Sequence, residues 1–424
     1  MMATLCRRAS RPLYLLSLLL LGVSACSAAP LEVPLGVDGA RVVDASGANV
    51  RLACVNWFGT EQLDGSPSGL HIQDPKTIAE TVSRLGFNCV RLPFSVQNVL
   101  TDPTLDARTV KAATEKGYKI RTSMDALDAA VSALSDAGVG VLLDNHMSDA
   151  GWCCNLVDDN GLWYNERWPE EAWVEAWVKL AARYRSTPLV FGADLRNEPR
   201  ETRVKAAHGT PHACRVVDEP WGAWRDAFER CGRAIRAVNP QMLLVVEATG
   251  FSVTLPVHEI ISGSGAVRLD RVVYSPHDYA WENPKNLSNL TYPAFEALLD
   301  KRWGVIATEG KYPILLGEFG ASQVEKEHSR DTSYWRHMML YLAKREEVGF
   351  ALWSLDSSGA NGDGKTPQWC KPPCCDKSGG SGHPHGEFQD WGLLNASYTG
   401  AANEAMARDL QNLMYRLKLA AMAV

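Results

Sequence analysis

The chain lacks the features that mark a nucleic-acid binder, a nucleotide enzyme or a membrane protein. No run of Lys and Arg follows residue 11, and the net charge is −6. A polyanion partner needs clustered positive charge, so a nucleic-acid role is excluded. A dinucleotide fold places a Gly-rich phosphate loop after its first strand; here Asn56-Trp57-Phe58 stands in that place. No GxSxG nucleophile elbow follows a strand-like run. The apolar run Leu13–Val23 is too short for a stable membrane span. There is no internal repeat and no Pro/Ser-rich linker. With 424 residues, 46% of them apolar, one large domain is the reading, although two ordinary ones would fit the length.

What is present begins with a targeting segment. Arg7, Arg8 and Arg11 precede Leu13–Val23, and the small residues Ser24–Ala29 follow. That is the order of a secretory leader. Residues 1–29 are assigned to a signal peptide cleaved near 25–30, and 30–424 to the mature domain. A secreted protein follows. Val-Ser-Ala before Cys26 also resembles a bacterial lipoprotein cleavage box, which makes a lipid anchor through Cys26 the alternative. Asn286, Asn289 and Asn395 head Asn-x-Ser/Thr sites, which fit an exported chain. Export also makes disulfides the first reading for Cys153, Cys154, Cys370, Cys374 and Cys375, which lie in loop-like stretches. Zinc competes, because His383 and His385 follow the last three, but the spacing is irregular. Cys54 and Cys89 lie in strand-like runs and read as buried thiols.

The segment 37–52 alternates between turn signals at Asp38-Gly39 and Ser46-Gly47-Ala48, which predicts a small hairpin. Strand-like runs then fall near 51–56, 87–92, 139–144, 189–195, 242–247, 271–276, 313–318 and 349–355. Helical patterns separate them. Ile78, Val82 and Leu85 share one face, as do Leu127, Val131 and Leu134 behind an N-cap at Ser123. Trp173, Trp177, Leu180 and Tyr184 form a third face, and further helices are expected near 221–238, 293–303, 331–346 and 402–417. The interval 248–270 is less regular. Strands that alternate with helices imply parallel βα units. Eight such units predict an α/β fold, a closed (β/α)8 TIM barrel with a short N-terminal β-hairpin and long βα loops. The Gly-, Pro- and Cys-rich stretch 357–390 is one of those loops. A doubly wound open sheet is the alternative, and the missing phosphate loop argues against it.

Barrel enzymes carry their chemistry at the C-terminal ends of the strands. Those ends are polar or aromatic here. They bear Arg91 on the second strand, Asp144-Asn145-His146 on the third and Asn197-Glu198 on the fourth. The sixth ends at His277-Asp278-Tyr279, the seventh at Glu318 and the eighth at Trp353. An isolated Glu or His after a strand is usually a cap or loop residue. Six such ends facing one bowl are not. Two carboxylates delivered by different strands, Glu198 and Glu318, are what hydrolysis of a glycosidic bond requires.

These residues resemble those of glycoside hydrolase family 5, cellulase-like retaining (β/α)8 enzymes, from about Asn56 to Trp353. The resemblance implies that Glu198, in Asn-Glu-Pro, is the general acid/base and that Asn197 contacts the sugar 2-hydroxyl. It implies that Glu318, in Gly-Glu-Phe, is the nucleophile and that Arg91 lies beside it. His146, His277 and Tyr279 match the family's substrate-binding positions, and Trp353 its platform under the sugar. Phe191 and Arg196 are less usual choices before Asn-Glu-Pro, and they bear on subfamily alone. The segments 144–155 and 162–173 resemble secreted endoglucanase-like branches, plant-type ones included.

The expected activity is a secreted retaining β-glycoside hydrolase, an endo-β-1,4-glucanase on cellulose or a related β-glucan. Mannan, mixed-linkage glucan and glycolipid are alternative substrates, and an inactive carbohydrate-binding barrel is the alternative from another class. The partner is a polysaccharide or oligosaccharide. No cofactor, no metal and a monomeric state are expected. Repulsion from Glu318 is expected to raise the pKa of Glu198, with Arg91 and Tyr279 favouring ionised Glu318. Of the fourteen Trp, most are expected in the core. Trp57, Trp152, Trp163, Trp281 and Trp391 are candidates for further sugar subsites. Residues 158–160 and 361–364 are oxygen-rich and read as turns rather than calcium loops.

Overall fold

The computed structural model describes residues 31–154, 156, 158–205, 214–322, 329–356 and 391–421. The leader, Cys26, the stretch from Cys370 to His385 and the turn at 361–364 lie outside the described residues. The chain opens with the expected hairpin, β1 (Gly36–Asp38) paired antiparallel with β2 (Arg41–Val43). The first four barrel strands are β3 (Ala53–Asn56), β4 (Cys89–Ser95), β5 (Gly140–Met147) and β6 (Val190–Asp194). A small antiparallel ribbon, β7 (Thr202–Lys205) and β8 (Cys214–Val217), interrupts the series. The remaining barrel strands are β9 (Leu243–Glu247), β10 (Val272–Ser275), β12 (Ile314–Phe319) and β13 (Val348–Leu352), with β11 (His277–Asp278) continuing β10 past Pro276. All the barrel pairings are parallel. β13 returns to β3, and β10 meets β12, so the eight-stranded sheet closes on itself.

The helices between them are α1 (Pro75–Leu85), α2 (Val96–Thr101), α3 (Ala107–Glu115), α4 (Ser123–Asp136), α5 (Glu170–Arg183) and α6 (Trp221–Val238). They continue as α7 (Val257–Ser262), α8 (Tyr292–Leu299), α9 (Val305–Thr308), α10 (Arg330–Lys344) and α11 (Glu404–Ala421). The short helices α2, α3 and α7 and the ribbon β7–β8 carry too few residues for a periodic signal. The N-cap of α4 is Thr122, one residue before the expected Ser123. Thr122 accepts from the N–H of Asp125, and the Asp125 side chain accepts back from the N–H of Thr122, a reciprocal capping box. Ser123 instead donates to the carbonyl of Gly65 at 2.7 Å.

Strand side chains alternate between faces, so each strand turns every second residue into the barrel. In the lower half those residues are apolar. Cys54, Cys89, Leu142, Leu243, Val245, Val273, Leu315 and Ala351 form one buried cluster. Leu31, Leu35 and Val42 of the N-terminal segment join the same cluster and seal the barrel floor. A Cβ on Gly140 would meet Leu31 at 2.7 Å and Phe191 at 2.9 Å, so only glycine admits the plug there. The next inward residues up the strands are polar: Asn56, Arg91, Asp144, Asp194, Glu247 and Glu318, all buried.

Cys54 and Cys89 are not free thiols, contrary to the sequence reading. They are directly opposite in the β3–β4 register, with Cα atoms 4.4 Å apart, and form a disulfide inside the barrel. Register is not visible in either strand taken alone. Cys153 and Cys154 are also bonded, to each other, and Cys231 is a buried free thiol.

Several Trp residues are core, as expected, but their indoles also hold the strand ends. Trp173 and Trp177, one turn apart on α5, both donate to the carbonyl of Leu195, at 2.9 and 3.0 Å. Trp224 on α6 donates to the carbonyl of Glu247 at 2.7 Å. Thr122→Ala is expected to lower the unfolding free energy by about 1 kcal/mol. A denaturation midpoint unchanged from wild type would remove the capping box from the account of α4.

Candidate active site

Arg91 stands at the centre of the upper half, with no exposed surface. Its Nε donates to Asp194 Oδ2 at 2.9 Å. Nη1 donates to Asn56 Oδ1 and Glu318 Oε1, each at 3.0 Å. Nη2 donates to Asn197 Oδ1 and Glu247 Oε1, each at 2.9 Å. A guanidinium has five N–H hydrogens, and all of them are engaged. Asp144 Oδ1 completes the shell at 3.1 Å from Nη2. Burial alone would lower the pKa of Arg91, but the charges of Asp144, Asp194, Glu247 and Glu318 hold it well above the usual value. The acids carry the opposite strain. Burial pushes Asp144 up to about 7, Asp194 to about 6 and Glu247 to about 7, against the pull of Arg91.

Glu198 follows β6 in a left-handed backbone conformation, with φ of 44°. A non-glycine residue rests there only when its surroundings hold it. Its N–H donates to Glu247 Oε2 at 2.7 Å, its carbonyl accepts from Arg200, and the preceding N–H of Asn197 donates to the Asn145 carbonyl at 2.9 Å. The turn thereby lifts the Glu198 carboxyl towards β11 and β12. There, His277 Nδ1 lies 2.9 Å from Glu198 Oε1 and 3.7 Å from Glu318 Oε2, while Nε2 lies 3.1 Å from Glu247 Oε1. Tyr279 donates its hydroxyl to Glu318 Oε2 at 2.8 Å. One carboxylate oxygen of Glu198, one of Glu318 and a ring nitrogen of His277 all lie within 4.8 Å of one another.

The electrostatics differ from the sequence expectation. His277 stands among three carboxylates. Burial opposes its charge, but Glu247, Glu318 and Glu198 raise its pKa well above the ordinary value, which favours the imidazolium form. Burial pushes Glu198 up, yet the hydrogen bond and charge of His277, with the charge of Arg200, bring it below the usual range. Glu318 is raised, by burial first and then by the charge of Glu198, against His277 and Arg91. The expected upward push on Glu198 is thus overridden by a cation bonded directly to it. His277 and Glu198 are 79 residues apart, so the sequence carries no sign of their contact.

His146 accompanies Asp144, with Nδ1 2.7 Å from Oδ2, and burial lowers its pKa to about 3, so the ring is neutral. Its ring stacks on Trp353 at 5.3 Å, and Phe58 stacks on Trp353 as well, at 5.6 Å. Trp152 meets both Phe58 and Trp353 edge-on. In the same cluster, Tyr279 stacks on Trp281 at 4.3 Å, and Trp391 packs against both. Trp57 and Trp163, also candidates for sugar platforms, are instead buried, and their indoles donate to the Ser68 carbonyl and to Glu170. Arg196 is structural. It is buried and binds Asn145, Ser148 and the Asn160 carbonyl. Asp158, in the oxygen-rich turn, accepts from the Asn160 N–H and from Arg200.

All eight site residues read from the sequence, Arg91, His146, Asn197, Glu198, His277, Tyr279, Glu318 and Trp353, gather at the same end of the barrel. The model of the family described as cellulase (glycosyl hydrolase family 5) matches residues 43–359. The chain belongs to glycosyl hydrolase family 5. An endoglucanase of Paenibacillus polymyxa is 31% identical over 351 residues, 78% of this chain and 82% of that protein. A glycosyl hydrolase 5 family protein of Chamaecyparis obtusa is also 31% identical, over 81% of this chain and 62% of its own length. Among solved structures, a cellotetraose complex of an endocellulase from Pyrococcus horikoshii superposes with a TM-score of 0.70 at 23% identity. It covers 91% of this chain and 99% of that one. As a family 5 glycoside hydrolase, the chain carries the family's barrel with the polar ring at its mouth.

The sequence reading of this family 5 site missed Asn56, Asp194 and Glu247. Asn56 and Glu247 end the apolar runs of the first and fifth strands, so the strand-end rule applied there would have found both. Asp194 lies one residue inside the fourth run, read as 189–195, so the rule passes over it in favour of Asn197-Glu198. Removing Arg91 leaves its carboxylates unpaired in a buried site. Arg91→Met is expected to cost about 3–5 kcal/mol, with Arg91→Lys in between, since an ammonium offers three donors in place of five. Denaturation curves of the two variants check the order; an Arg91→Met variant as stable as the wild type would refute it.

Proposed function

We propose that the chain is an exported retaining endo-β-1,4-glucanase acting by double displacement, with Glu318 as nucleophile and Glu198 as general acid/base. The observation that carries this reading is the approach of the two carboxyls, with an oxygen of each inside 4.8 Å. Retaining enzymes hold their carboxyls about 5–5.5 Å apart, whereas inverting ones leave room for a water at about 6.5–9.5 Å. The differing partners support the division of labour. Glu318 is fixed by Arg91 and Tyr279, so either oxygen is aimed and unable to rotate away. Glu198 shares a hydrogen bond with the His277 imidazolium, so one proton resides on that pair.

In the first step the Glu318 carboxylate attacks the anomeric carbon. The proton of the His277–Glu198 pair passes through Glu198 to the departing glycosidic oxygen. A glycosyl ester on Glu318 and a shortened glucan result. In the second step Glu198 takes a proton from water, and the resulting hydroxide equivalent displaces Glu318. The pair regains its proton, and the sugar leaves with its original anomeric configuration. Asn197 and His146 face the sugar hydroxyls, and Trp353 supplies a flat face for ring stacking. Trp281 and Trp391 extend that surface.

The β-1,4-glucan preference is supported by the names of the relatives, one an endoglucanase and one an endocellulase bound to cellotetraose. Export is supported by the leader-like order of residues 1–29, which leaves 30–424 as the catalytic domain. Hydrolysis of soluble and amorphous β-glucans, with little on mannan, is the expected outcome of a polysaccharide panel. Mannan as the fastest substrate would sink the glucan assignment, and binding without turnover on every substrate would sink the enzyme assignment.

Two further outcomes test the roles. Glu198→Ala and Glu318→Ala should each lose at least about a thousandfold in kcat/KM. Azide should rescue Glu318→Ala and yield the α-glycosyl azide; a β product would contradict its role as nucleophile. Tyr279→Phe removes a donor that favours ionised Glu318. The Glu318 pKa therefore rises, and the acid limb of the kcat/KM profile should move to higher pH. An unmoved or lowered limb would show that another group sets it.

A further inference from the structure

The Cys153–Cys154 pair has no part in the mechanism above, yet it lies against the acid/base. Asn197 points its Nδ2 at both sulfurs, 3.4 Å from Cys153 Sγ and 3.6 Å from Cys154 Sγ. The two sulfurs and one oxygen of the Glu198 carboxylate all lie within 4.8 Å of one another. Access separates this pair from Cys54, Cys89 and Cys231. Cys153 and Cys154 are half-buried at the mouth of the bowl, whereas Cys54 and Cys89 are sealed inside the barrel with no exposed surface and Cys231 is buried. A thiol reductant attacks the disulfide it reaches, so the 153–154 bond opens before the Cys54–Cys89 bond.

We propose that the reduced Cys153–Cys154 pair and Glu198 form a site for a thiophilic divalent cation, Zn2+ or Cd2+, whose binding shuts off hydrolysis. The inhibitory half rests on Glu198 being the acid/base. The chemistry balances as follows. A dithiol reductant supplies two electrons and two protons, the S–S bond breaks, two thiols form, and the reductant leaves as its own disulfide. The cation then binds both sulfurs as thiolates and releases the two thiol protons to solvent. Thiolate ligands select soft and borderline cations over Mg2+ or Ca2+. Two sulfurs and a carboxylate oxygen complete three positions of a tetrahedral shell and leave the fourth to water. In such a shell two sulfurs stand about 3.8 Å apart, from metal–sulfur bonds of about 2.3 Å. Opening the S–S bond lets them spread to that distance without moving Glu198. A cation there takes the carboxylate lone pair that must carry the proton, and it turns the sulfurs away from the Asn197 amide.

The test uses the full chain, reduced with a dithiol, freed of reductant by gel filtration under argon and titrated with Cd2+. Thiolate-to-cadmium absorption reports binding, and hydrolysis of a soluble β-glucan reports inhibition. The reduced wild type should take up one more Cd2+ per chain than the reduced Cys153→Ser/Cys154→Ser variant. Its hydrolysis should fall at least tenfold as that site fills and return on adding a chelator. The unreduced protein should keep its rate at the same Cd2+. Glu198→Gln should retain the absorption but bind Cd2+ at least tenfold more weakly. Uptake by the reduced wild type no greater than by the double variant would overturn the site. Full occupancy with an unchanged rate would overturn the inhibition. The absorption titration does not depend on turnover, so failure of the Glu198 assignment and failure of the metal site are read separately.

Discussion

The arrangement of the barrel mouth depends on one buried guanidinium. Arg91 cannot be left in a dry interior without partners, and the acids around it cannot be left there without a cation. Each satisfies the other. Because its five N–H groups point in fixed directions, Arg91 also dictates where Asn56, Asp194, Asn197, Glu247 and Glu318 must be. Those residues come from β3, β6, the turn after β6, β9 and β12. A single side chain on β4 therefore ties most of the barrel's circumference to one point. The lower half of the same barrel needs no such device, since hydrophobic burial fills it.

Two cations, Arg91 and His277, face Asp144, Asp194, Glu198, Glu247 and Glu318 in this space. Burial settles the imbalance by raising several of the acids towards neutrality, so the site holds exchangeable protons near pH 7. Glu247 links the two cations. It accepts from Arg91 through Oε1, which also lies beside His277, and it accepts the Glu198 N–H through Oε2. The same carboxylate thus fixes the backbone of Glu198 and the charge of the imidazolium that bonds its side chain.

The fold was legible because its signals are local. Each of the eight barrel strands is a short apolar run, and α1, α4, α5 and α6 show a full helical face. The site was legible to the extent that it follows strand ends, which is how Glu198, His277 and Glu318 are found. What stayed hidden depends on register and on contacts across the barrel. Cys54 and Cys89 each look like an ordinary buried thiol until β3 and β4 are laid side by side. The lowered pKa of Glu198 depends on a histidine that only the closed barrel brings to it. Thr122 and Ser123 compete for the same cap, and the choice falls to Thr122 because Gly65 occupies the Ser123 hydroxyl.

The plugged floor has a consequence for traffic. Leu31, Leu35 and Val42 close the barrel below the polar ring, so among the described residues the acids around Arg91 open to solvent on the mouth side. An oligosaccharide lying across that mouth acts as a stopper. Once it is in place, the shortest proton transfers open to the inner acids are those among themselves and His277. The protonation state in which the enzyme meets its substrate is then the one from which the first bond cleavage starts. Acidity of the medium is sampled between turnovers, when the vessel stands open.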